Sequence, residues 1–148
     1  MKQNHLSARI TLWANRLVAL IFAVLLLLLP LVKDWSYQFQ LLTEEVALGI
    51  MIAFYCCAVP VAIALWGMDR LLRNILNNTV FTRDNVSLIR RIQWCCGGVS
   101  LICLPAAFIY LPLLFMVVIM AFLCLVVNVV AQVMAAAVSI REENDLTI

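Results

Sequence analysis

Charge is scarce in this chain, and it is missing where the apolar residues run longest. Only 12% of the 148 residues are Asp, Glu, Lys or Arg, about half the share of an ordinary soluble domain. None of them falls near the middle of an apolar run. A proton-coupled transporter wants ionisable groups there, so that class is disfavoured. Histidine occurs once, as His5, and the six cysteines contain no CxxC. Zinc sites and haem attachment are therefore not expected. No GxSxG, HExxH, P-loop or Rossmann pattern occurs, and no two carboxylates share an apolar run. The chain is not read as an enzyme, and no cofactor is expected. A net charge of +2 gives no ground for direct nucleic-acid binding.

What the chain has instead is apolar length. Two-thirds of it is hydrophobic (66%), and its mean hydropathy is +1.08. Four apolar runs cover roughly 10–32, 46–67, 94–111 and 113–140. A helix needs about 20 apolar residues to cross a bilayer core of about 30 Å. The expected fold is all-α: a single four-span transmembrane bundle over 1–148, with a loop at 68–93 and a tail at 141–148. The first run follows Lys2, Arg9 and Arg16, as a signal peptide would. It is too long for a signal core and ends Pro30-Leu31-Val32-Lys33 without a small-x-small site, so it reads as a retained helix.

Charge sets the expected topology. Segment 68–93 carries Arg70, Arg73, Arg83, Arg90 and Arg91 against Asp69 and Asp84, while 33–45 has Lys33 against Asp34, Glu44 and Glu45. The positive-inside rule makes 68–93 cytoplasmic, and an even number of spans then puts both termini inside. Trp13, Trp66 and Trp94 fall at the inner boundaries. Trp35, Tyr37 and Tyr110 fall at the outer ones, as an aromatic belt requires. Spans three and four are joined only by Tyr110-Leu111-Pro112, a tight hairpin with Pro112 near the first turn. The fourth run, about 28 residues or about 42 Å as a helix, outreaches the bilayer and is expected to continue into the cytoplasm.

On the cytoplasmic side, Leu71, Leu72, Ile75 and Leu76 form one apolar face of a helix leaving span two, with Asn77-Asn78 as its stop. Thr82 is placed to cap a second helix starting near 83. The loop arginines read as headgroup anchors or as contacts for an acidic partner or the acidic tail. Leu146, Thr147 and Ile148 alternate, which suggests either a short strand pairing 145–148 with 79–82 or a frayed solvated tail.

Within the spans, Asn128 and Gln132 lie at i, i+4 on one face. They read either as amides bonding across helices or as the lining of a small polar cavity. Cys56, Cys57, Cys95, Cys96, Cys103 and Cys124 all lie in or beside spans, so they read as small packing residues rather than a disulfide framework. Cys95 and Cys96 at the inner edge are also open to palmitoylation or redox chemistry. Gly49 with Ala53, Ala58 with Ala62, and Ala131 with Ala135 permit close helix contact within the chain or in a homo-oligomer. Pro30, Pro60 and Pro105 are expected to kink their helices.

Val80-Phe81-Thr82-Arg83-Asp84-Asn85, then Leu88-Ile89-Arg90-Arg91-Ile92, and the closing Glu143-Asn144-Asp145-Leu146-Thr147-Ile148 together resemble the bacterial membrane family called domain of unknown function 2975. The resemblance covers the whole chain. It implies no chemistry. It does imply a neighbour, because such proteins are often encoded beside a small helix-turn-helix regulator of the Cro/C1 type. The expectation is an inner-membrane, non-enzymatic adaptor or regulator that binds such a protein and not DNA itself. Its partner-binding candidates are Arg70, Arg73, Phe81, Thr82, Asn85, Arg90, Arg91, Glu143, Asn144, Asp145, Leu146, Thr147 and Ile148. A tail strand added to a partner's sheet is one way it would bind. The alternatives are a role in small-molecule or peptide export, resistance or immunity, and a structural subunit of a membrane complex.

Overall fold

The computed structural model describes residues 2–38, 43–77 and 79–146, and side chains over 7–31, 43–77 and 79–144. Four helices follow one another: α1 (Lys2–Gln38), α2 (Glu44–Leu76), α3 (Arg83–Ile109) and α4 (Leu113–Leu146). All four contain stretches long and apolar enough to cross a membrane. Pro30, Pro60 and Pro105 lie inside α1, α2 and α3, which continue through them.

The helix ends follow local chemistry. α2 stops at Leu76, and the N–H of Asn77 closes on the carbonyl of Arg73 at 3.0 Å. Thr82 caps α3, its hydroxyl accepting from the N–H of Asn85 at 3.4 Å. At the far end, Tyr110-Leu111-Pro112 makes the turn between α3 and α4, with the N–H of Leu113 on the Tyr110 carbonyl at 3.0 Å. Pro112 sits just before the first helical residue, where its missing N–H leaves no bond unmade.

The expected pairing of 79–82 with 145–148 is not seen among the described residues. No strand occurs among the described residues, and Asp145 and Leu146 are the last two residues of α4. Thr147 and Ile148 lie outside the described residues. The reason lies in both partners. Extending α4 adds a hydrogen bond for each residue fixed, whereas an isolated two-stranded pair is marginal. Meanwhile the backbone of 79–82 is already engaged by Asn74 and Asn85.

Packing runs in chain order. Among the described residues α1 packs on α2, α2 on α3, and α3 on α4. The core joins the last three helices, with Cys57 of α2, Val99, Cys103 and Ala107 of α3, and Val117 of α4. α1 is held to α2 by the amide of Asn15, which donates to the carbonyl of Leu65 at 3.1 Å, and by the hydroxyl of Tyr55, which donates to that of Leu26 at 3.3 Å. An apolar cavity of about 220 Å³ remains where Asn15, Pro60, Val99 and Met120 face one another across the bundle.

Gly67 lies against Ile92 where α2 meets α3. A Cβ built on Gly67 would lie 3.4 Å from Cγ1 of Ile92, while one on Gly98 meets nothing within 4 Å. Gly67→Leu is therefore expected to destabilise the fold by about 1–3 kcal/mol through overpacking. Gly98→Ala should leave stability unchanged or raised, because alanine is the better helix former. Unfolding midpoints in detergent micelles test both.

The same contacts fix the levels. Asn15 on Leu65 and Gly67 against Ile92 bring Trp13, Trp66 and Trp94 to one height on the bundle, and all three indoles are exposed. This is the belt expected at a membrane boundary. Beyond it, α2 and α3 project by about 15 Å toward their connecting loop. The bidentate pair of Arg83 with Glu142 brings the end of α4 to that same side, and the Arg16–Asp69 pair brings the early part of α1 there too. One end of the bundle, here the loop end, thus gathers the charged segments.

Candidate functional site at the loop end

Asn85 organises this end. Among the described residues its side chain is the most enclosed polar group, with 0% exposure. Its amide nitrogen donates to the carbonyls of Thr79 at 2.7 Å and Val80 at 2.8 Å. Its carbonyl oxygen accepts from Nδ2 of Asn74 at 2.6 Å. One side chain thus ties the last turn of α2, the connecting loop and the first turn of α3 together. The hydroxyl of Thr79 adds a bond to the Asn74 carbonyl at 3.0 Å.

On α1 and α2, Asp69 takes two cations. Its Oδ1 is 3.2 Å from Nε of Arg16, and its Oδ2 is 2.8 Å from Nε of Arg73 one turn on. Arg70 lies over the ring of Trp66 at 5.9 Å, a cation–π contact at the belt. On α3 and α4, Nε and Nη2 of Arg83 reach the two carboxylate oxygens of Glu142 at 2.9 and 2.6 Å. Both side chains are largely solvated, so the pair fixes geometry more than it adds stability.

The partner-binding candidates therefore divide. Asn85 faces inward with its hydrogen bonds used within the chain. Thr82 is half-buried and serves as the cap. Arg73 is paired and Arg70 is stacked. Phe81 is 45% exposed at the loop apex. Arg90 and Arg91 are exposed and border an open groove between α3 and α4. Glu143 and Asn144 lie on the exposed side of α4 and are partnered. Asp145 and Leu146 belong to α4, but their side chains, like Thr147 and Ile148, lie outside what is described.

Asn128 and Gln132 do lie together: Nε2 of Gln132 is 3.4 Å from Oδ1 of Asn128. Their level is nearer the boundary than mid-bundle. Gly97 opposite Cys124, and Arg83 opposite Glu142, set an antiparallel register that brings them near Trp94 and the Arg90–Arg91 pair. Neither borders the cavity at the bundle centre, the groove at Arg90 and Arg91, or a second groove between α1 and α2. Sequence reasoning missed Asp69 and Asn74 as organising residues, while the contact of a loop arginine with the acidic tail, one of its alternatives, is the Arg83–Glu142 pair. Only Asp69 carried a signal, its i, i+4 spacing to Arg73. No three His, Cys, Asp or Glu side chains among the described residues converge as metal ligands.

Four membrane-length helices, a tryptophan belt and a charged, internally latched loop end define a multi-pass helical membrane protein. The family described as "Protein of unknown function (DUF2975)" matches residues 4–148, and the chain belongs to that family. No match is found among curated proteins or solved structures.

Proposed function

We propose that this protein is a non-enzymatic adaptor of the bacterial inner membrane, its loop end and both termini in the cytoplasm. Its partner is a small helix-turn-helix regulator of the Cro/C1 type. The orientation rests on the arginine excess of the central loop. The kind of partner rests on the family resemblance. The observation that carries the contact is Phe81, an aromatic left 45% exposed on a loop that Asn85 holds in one shape. Aromatic anchors on preorganised backbone supply much of the energy in protein interfaces.

The test is a pull-down of the tagged full-length protein from its host in mild detergent, beside Phe81→Ser, with bound proteins identified by mass spectrometry. A small DNA-binding protein should come with the wild type and fall about tenfold or more with Phe81→Ser. The reading is overturned if the folded wild type brings down no such regulator, or if Phe81→Ser recovers as much as wild type.

A further inference from the structure

Arg90 and Arg91 lie on the wall of a groove of about 530 Å³ between α3 and α4, about two to three turns below Phe81. Arg16, Arg73 and Arg83 all have carboxylate partners. Arg90 and Arg91 have none among the described residues. Val86 of α3 and Ala135 and Val138 of α4 give the groove apolar wall, Ser87 and Ser139 add hydroxyls, and the Glu142 carboxylate at its loop end is taken up by Arg83. Trp94 closes its membrane-facing end and is 74% exposed. Read along α3, the stripe passes from aqueous charge to paired guanidinium groups, then to an indole at headgroup level, then to hydrocarbon. That is the polarity profile of a phospholipid standing in its leaflet.

We infer that the α3–α4 groove binds one anionic phospholipid, its headgroup phosphate held by Arg90 and Arg91 beside Ala135 and its chains leaving past Trp94. Guanidinium groups suit the site because their planar donors match phosphate oxygens. The two arginines stand about one helical turn before the exposed boundary residue Trp94, the level of a lipid headgroup, which favours a lipid phosphate over free phosphate. The surface is separate from Phe81, so a lipid and a protein partner fit the loop end together. The inference stands whether or not the adaptor reading does.

Native mass spectrometry of the full chain in mild detergent tests it, with phosphatidylglycerol and phosphatidylcholine titrated separately. One phosphatidylglycerol should be retained about thirtyfold more strongly than phosphatidylcholine, the gain expected from two guanidinium groups at an anionic headgroup. Arg90→Gln with Arg91→Gln should abolish the difference. Arg70→Gln, which removes a charge on α2, should preserve it. Ala135→Phe, which leaves both arginines but fills the groove, should weaken retention of either lipid. Equal retention of both lipids by the wild type overturns the site. So does undiminished selectivity in the double variant at an unchanged unfolding midpoint. Displacement of the bound lipid by inorganic phosphate overturns the choice of a lipid as occupant.

Discussion

Asn85→Ala is expected to open the loop end and to lower stability by about 3 kcal/mol, the cost of leaving several enclosed polar groups without partners. The substitution removes two donated bonds to the Thr79 and Val80 carbonyls and the acceptor for Asn74. Asn85→Asp keeps the shape and should be worse. It places carboxylate oxygen where an amide N–H now lies 2.7–2.8 Å from two carbonyl oxygens. Hydrogen exchange gives the sharper measurement. Protection of the Asn85 and Val86 amides, both bonded to Thr82, should vanish in either variant while that of α4 persists. Unchanged protection at both amides would show that Asn85 is not the latch.

A disulfide should form readily between Cys57 and Cys103 when a membrane-permeant oxidant is supplied and the other four cysteines are replaced by serine. The two thiols meet at 3.6 Å in the core between α2 and α3. Cys56, one residue earlier, is exposed, while Cys57 and Cys103 are both buried. A chain keeping only Cys56 and Cys103 should stay reduced. A protease site placed in the loop after Asn77 reads the result, because only the cross-linked form keeps its halves together on a non-reducing gel. The bridge closes a separation of 46 residues, and the chain-entropy argument gives it about 4 kcal/mol of stabilisation. Failure of the pair to cross-link in folded protein would refute this α2–α3 register.

Much of this architecture was readable because a bilayer imposes a single length scale. The spans followed from apolar runs, and the α2 stop at Asn77 and the Thr82 cap followed from side chains that act on adjacent backbone. What failed was what depended on direction or distance. Leu146-Thr147-Ile148 is too short to separate a period of 2 from one of 3.6, so its sequence left a strand and a frayed tail both open, whereas Leu146 ends α4. Asn85 was placed among outward-facing residues because an amide's identity does not tell which way it points. Its mate Asn74 lies 11 residues back, across a loop. α4 was the least informative helix. It is apolar on every side, so its sequence does not say which face meets α3.

The order of packing bears on how the protein is made. Each helix finds its neighbour in the next segment to leave the ribosome, and among the described residues no contact joins the first helix to the last. A bundle closed by its two outermost helices must hold the first one unsatisfied until synthesis ends. Here every span can dock as soon as its successor enters the bilayer, so assembly advances by one hairpin at a time. Such local wiring favours rapid folding. It also leaves the open flank of α1 as the one side where a lost first helix would expose α2 without disturbing α3 and α4.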